Sequence, residues 1–151
     1  MLVCACIALV LSATAGAAKL PIAGRDALTG KRVALTQFGG RPVFVNVWGS
    51  WCTGCNAEAR TLARFARTNR RQLAFIGIDT EDSKAGARAF YKRFDTEYPS
   101  IWDPRGLLAG AWSRGTPTTL VFDRRHVLVQ RIEGTTSLAA LNAALRTVTR
   151  Q

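Results

Sequence analysis

An α/β domain, a central mixed β-sheet flanked by helices, is predicted by three features of the chain. Val43 to Trp48 ("VFVNVW") and Leu73 to Asp79 ("LAFIGID") are runs of β-branched, aromatic and other apolar residues, apolar enough to be strands covered on both faces. Between them, Ala59, Leu62, Ala63 and Ala66 recur at helical spacing, with Arg60, Arg64, Arg67 and Arg71 on another face; this spacing predicts a helix over 55–71. Thr118 to Asp123 and Val127 to Glu133 read as a strand pair joined at Arg124-Arg125. A parallel βαβ unit followed by a hairpin is the pattern of an α/β sandwich.

The remaining elements follow in order. The segment "KLPIAGRDALTGKRVALTQFGGRP" has short apolar stretches broken by Thr29-Gly30 and Gly39-Gly40, which predicts a small N-terminal β-hairpin. Asp82 or Ser83 can cap a second helix running through Phe94, and Ser137 a last helix to about Arg150. No Ser/Pro-rich linker, internal repeat or low-complexity tract interrupts 18–151, so the reading is one domain. A chain of 151 residues buries an ordinary core without disulfide staples.

Residues 1–17 stand apart. They carry no charge, and "MLVCACIALVLSATAGAA" ends in two overlapping A-x-A patterns, Ala13-Thr14-Ala15 and Ala15-Gly16-Ala17. This is the pattern of a secretory signal peptide cleaved near Ala17. A retained membrane anchor is the alternative, because about 18 apolar residues is the lower edge of a spanning helix. Both readings export the domain to a periplasmic or other extracytoplasmic space. Cys4 and Cys6 then serve as apolar filler, and Cys52 and Cys55 face an oxidising compartment as the domain's only thiols.

The formal charge of +11 comes mostly from arginine spread along the chain. There is no block of five like charges and no interleaved aromatic stripe, so no nucleic-acid surface is assigned. The arginine row from Arg60 to Arg71 is a solvated helix face, or a dock for an acidic partner or a membrane surface.

The chemistry concentrates in "WGSWCTGCNAE", Trp48 to Glu58. It places two cysteines where a buried strand gives way to a helix. A helix's first turn offers unpaired N–H groups and the positive end of its dipole, so a thiol there ionises readily. Cys52 is the candidate nucleophile. Cys55, one turn deeper, is the candidate to resolve a mixed disulfide. A purely stabilising bridge is the weaker reading, since so short a loop removes little chain entropy. Zinc would need four ligands, and His126 is the only histidine; no metal and no cofactor is assigned.

Together, "VFVNVWGSWCTGCNAEA" and "SRGTPTTLVFD" resemble the thioredoxin superfamily, specifically its exported TlpA/ResA-type thiol:disulfide oxidoreductases. The resemblance covers the chain after about Leu20 and implies a thioredoxin-like fold. It implies that Cys52 and Cys55 are the nucleophilic and resolving cysteines, that Pro117 is a cis-proline preceded by Thr116, and that Trp51 and Trp48 flank the site. Trp51, Thr116 and Pro117 would then meet the substrate. Glu58 matches an acidic residue three positions after the second cysteine; it either moves protons to and from Cys55 or favours the helix dipole. Asn46 stands where classical thioredoxin has a buried aspartate. The sequence also departs from relatives at Thr53-Gly54, which lacks the proline common before the second cysteine, and at Arg60, where many have proline. Thr118 replaces the acidic residue that the cytochrome c maturation branch often carries after its proline. The implied partners are disulfide-bonded or dithiol proteins and a membrane-bound electron donor, the activity being mainly reductive. A copper-binding or copper-delivery module is the alternative on the same fold, since a thiol pair suits Cu(I).

Overall fold

The computed structural model of the chain describes residues 20–150; the leader reading at 1–17, with Cys4 and Cys6, lies outside the described residues. β1 (Ala23–Arg25) and β2 (Arg32–Ala34) form the N-terminal antiparallel hairpin, and a 3-10 turn (Leu35–Phe38) leads into the sheet. There follow β3 (Val43–Trp48), α1 (Thr53–Thr68), β4 (Ala74–Thr80), α2 (Lys84–Phe94), β5 (Ser100–Asp103), α3 (Leu107–Trp112), β6 (Thr118–Phe122), β7 (Leu128–Glu133) and α4 (Leu138–Thr149). The strand order is β5-β4-β3-β6-β7. β3 pairs parallel with β4 and antiparallel with β6, so the sheet is mixed.

β3 is buried along its whole length, and its alternating side chains supply both halves of the core. Val43, Val45 and Val47 pack with Ile76, Ile78, Leu120 and Leu108 on one face. Phe44 packs with Leu62, Phe65, Val121 and Leu141 on the other, its ring 5.4 Å from that of Phe65. Trp48, at the strand's end, stacks on Phe90 of α2 at 4.2 Å. The last residue of β3 is thereby fixed just before the cysteine segment.

Two elements escape the sequence pattern. β5 has only four residues, and α3 has six with a glycine at each end of its first turn, Gly106 and Gly110; neither is long enough to show a period. Aspartate side chains hold them instead. Asp103 accepts from Leu107 N and Ala109 N to start α3, and Asp26 accepts from Ser100 N to tie the hairpin's turn to β5. Arg60 leaves α1 unbroken, and its guanidinium lies 5.7 Å from the Phe94 ring centroid.

Gly77 has no room for a side chain. In register between Asn46 and Ser100, it leaves space in which the Ser100 hydroxyl accepts from Trp48 Nε1 at 3.0 Å and meets Tyr91 Oη at 2.7 Å. A Cβ there would lie 1.9 Å from Ser100 Oγ and 2.6 Å from Trp48 Nε1. Gly77→Ala is therefore expected to cost about 1–3 kcal/mol, measured by urea unfolding; an unchanged midpoint would show that this junction is slack.

Candidate functional site

Cys52 is the N-cap of α1 and Cys55 lies in its first turn, so the strand-to-helix change places both sulfurs at the helix start. They form a disulfide, with Cα atoms 5.2 Å apart. Cys55 N donates to Cys52 Sγ at 3.1 Å, the backbone contact that a thiolate at this position would use. Cys52 is 6% exposed and Cys55 1%, so Cys52 is the more reachable of the two residues. The segment before it is pinned from several sides. Asp82 accepts from Ser50 N at 2.6 Å and Ser50 Oγ at 2.8 Å, while Asn56 Nδ2 donates to the carbonyls of Ser50 and Cys52.

Glu58 is 1% exposed, beyond the first turn of α1; the helix-dipole reading does not describe it. Its Oε1 accepts from Asn46 Nδ2 at 3.0 Å, and its Oε2 from Thr136 N at 2.6 Å. Burial raises its pKa, outweighing the lowering by the Thr136 N–H and the Asn46 amide. Asn46 also reaches Thr119 Oγ1 at 3.2 Å. An aspartate at position 46 would offer Glu58 a like charge where the amide offers a donor.

The peptide between Thr116 and Pro117 is cis, and Pro117 is buried. Its carbonyl accepts from Gly134 N at 2.9 Å, which joins the proline loop to the segment before α4. Both come down on Gly54, where a Cβ would lie 3.0 Å from Thr135 Oγ1 and 3.1 Å from Pro117 Cδ. Glycine between the cysteines thus allows two loops to close over the first turn of α1. Trp51 is 55% exposed, and its indole N–H donates to the Thr80 carbonyl at 3.2 Å. A groove bordered by Trp51, Arg105, Arg114 and Thr116 runs between the neighbours of Cys52 and Pro117. The structure therefore brings Trp51, Cys52, Cys55, Glu58, Thr116 and Pro117 to one end of the sheet.

His126 lies elsewhere. It occupies the β6–β7 turn at φ 60°, at the far end of β6 from Pro117, with Nε2 3.3 Å from the Phe38 carbonyl oxygen. Asp123 accepts from Arg125 N and Val127 N to shape that turn. Of the arginine row, Arg67 is paired with Asp95 at 2.8 Å.

Sequence reasoning missed a cluster of carboxylates beside the cysteine segment. Asp79, the penultimate residue of β4, is in register with Trp48 and Trp102 and is 0% exposed. Among the described residues no donor group reaches either of its oxygens. Burial, then the charge of Asp82 and a hydrogen bond that protonated Asp79 donates to it, then the charge of Asp103, push its pKa up to about 8. The available signal was a carboxylate closing an otherwise apolar buried run, at the strand end where α/β sheets place their sites.

A reactive pair at the start of a helix, under a cis-proline loop and on a five-stranded mixed sheet, defines a thioredoxin-like protein. The AhpC/TSA family matches residues 13–131, and the chain belongs to that family. It is 27% identical over 124 residues to the thiol-disulfide oxidoreductase ResA of Bacillus cereus, an alignment covering 81% of this chain and 72% of that one. Among solved structures it resembles a secreted thiol-disulfide isomerase from Corynebacterium glutamicum, with TM-score 0.77, 26% identity, and 87% and 85% of the two chains covered. A DsbF homologue from Corynebacterium diphtheriae matches with TM-score 0.77 and 28% identity, covering 85% of each chain.

The two buried acids give stability a pH dependence. Their pKa values are raised in the native state, so the folded chain holds more protons than the unfolded one. Stability is therefore greatest near the ordinary carboxylate range and falls as pH rises through about 8. Urea midpoints are expected to fall from pH 5 to pH 9, and to fall less in Asp79→Asn and Glu58→Gln; a rise over that range would contradict the assignment.

Proposed function

We propose that this protein is an exported thiol:disulfide oxidoreductase, of periplasmic or other extracytoplasmic location, that reduces disulfides in protein substrates. The observation that carries the reading is the Cys52–Cys55 disulfide at the start of α1, its more exposed cysteine next to Trp51. Relatives and structural neighbours bearing thiol-disulfide oxidoreductase and isomerase names support it.

In the reduced protein the Cys52 thiolate attacks one sulfur of a substrate disulfide. A mixed disulfide forms and the other substrate sulfur leaves as a thiolate. Cys55 then gives up its proton and attacks Cys52 Sγ, releasing the second substrate thiolate and closing the Cys52–Cys55 bond. Two electrons pass to the substrate, and a dithiol donor, membrane-bound in this scheme, must restore the pair. Glu58, one turn along α1 from Cys55, receives the Cys55 proton; a carboxyl whose affinity for protons burial has raised is suited to that step. Trp51 and Thr116 border the groove in which the substrate segment lies, and Pro117 follows Thr116 through the cis peptide.

Three variants test the assignments with a disulfide-bonded protein substrate and a dithiol donor. Cys52→Ser is expected to reduce turnover to background, whereas Cys55→Ser accumulates the mixed disulfide. Glu58→Gln is expected to slow resolution about 10²-fold and to remove one ionisation from its pH profile. Turnover by Cys52→Ser at the parent rate would refute the mechanism. Equilibration with glutathione fixes direction: a potential near about −270 mV fits a reductant, and one near about −120 mV an oxidant.

A further inference from the structure

Asp79, Asp82 and Asp103 meet where β4 and β5 end, and their hydrogen bonds distinguish them. Asp82 accepts from Ser50 N, Ser50 Oγ and Ser83 N. Asp103 accepts from Leu107 N and Ala109 N. Backbone and hydroxyl donors thus satisfy both of those carboxylates. Among the described residues Asp79 accepts from no group, and both its oxygens are buried. Three like charges at one strand end are costly, and the carboxyl without donors is the one that keeps its proton.

We infer that Asp79 is a positioning residue for the Cys52 segment: as a neutral acid it lets ionised Asp82 hold Ser50, and its ionisation weakens that hold. Ser50 lies two residues before Cys52, so the Asp82 clamp sets where the attacking sulfur begins. The surroundings give Asp82 little freedom to retreat. A Cβ on Gly86 of α2 would lie 2.5 Å from both Asp82 Oδ1 and Ser50 Oγ, so the helix backbone is packed against the clamp. A second negative charge beside Asp82 must therefore be accommodated by the Ser50 contact.

Among the described residues, the titratable groups that act on Asp79 or feel its charge are Asp82 from the β4–α2 connection, Asp103 from β5 and Tyr91 from α2. No cation is among the groups that shift Asp79. Lys84, at the start of α2, holds its ammonium 4.5 Å from the centroid of Trp102. On β3, Asp79's neighbour in register is the indole of Trp48, whose N–H is committed to Ser100. On α1, Cys52 and Cys55 do not titrate while bonded to each other.

The inference rests on Cys52 being the attacking sulfur, and the test uses the oxidised full chain so that neither cysteine ionises. The Asp79 side-chain carboxyl carbon and the Ser50 amide proton are followed by NMR from pH 6 to 9.5. Both are expected to move with one shared inflection, and the rate of disulfide reduction by a water-soluble phosphine is expected to bend at the same pH. In Asp79→Asn the Ser50 inflection and the bend are lost. In Asp82→Asn the Asp79 inflection shifts to lower pH, because one negative neighbour has gone. A Ser50 amide that does not titrate, or an inflection that survives Asp79→Asn, would overturn the inference. If Asp79→Asn does not fold, separate inflections for Asp79 and Ser50 in the parent chain, or no shift in Asp82→Asn, would overturn it as well. A failure of the proposed activity reads differently: substrates stay oxidised at every pH while these resonances titrate together.

Discussion

The site is assembled by crowding over the first turn of α1. Gly54 offers no side chain, and the Pro117 and Thr135 loops occupy the space where one would begin, at 3.1 and 3.0 Å. Without that approach the sheet would still carry a helix after β3, and the cysteines would still sit at its start. They would lack the proline loop on one side and the Thr136 N–H on the other, the group that holds Glu58 beneath them. The missing proline between the cysteines is consistent with this packing, since glycine has the smallest profile at the point of closest approach.

Two buried acids then flank the dithiol, and they are held in opposite ways. Glu58 is placed by its donors, one from the middle of β3 and one from the loop before α4. Asp79 is placed by the chain alone, with no donor among the described residues to satisfy its charge. The first arrangement suits a group that exchanges a proton, because hydrogen bonds remain in either state. The second suits a group whose neutrality is a condition for the geometry around it. Asn46 separates the two designs from that of a buried aspartate at the same strand position, because its amide donates where a carboxylate would repel.

Long, periodic elements were legible. β3 was bounded as observed, α2 is capped by Ser83, one of the two caps the sequence offered, and α4 by Ser137, their hydroxyls accepting from Gly86 N and Ala140 N, and the β6–β7 hairpin lay where the apolar runs placed it. α1 begins at Thr53, two residues earlier than its apolar face suggested, because the cysteine sulfur serves as its cap. β5 and α3 were not legible; each is shorter than two turns or one alternating face, β5 being held by the distant Asp26 and α3 by Asp103 at the end of β5. The cysteines, Glu58 and the proline loop could be picked out from motifs. The roles of Ser50, Asp82 and Thr136 could not, because their hydrogen bonds join residues 32 and 78 positions apart and leave no local pattern.

All of this chemistry requires the Cys52 sulfur to be preferentially ionised where the amides of α1 converge. Iodoacetamide labelling of the reduced chain at neutral pH, resolved by peptide mapping, tests that most directly. Cys52 should label several-fold faster than a cysteine in an unstructured peptide, with Cys55 lagging behind both. Labelling of Cys52 at or below the peptide rate would contradict the assignment of this sulfur as the nucleophile.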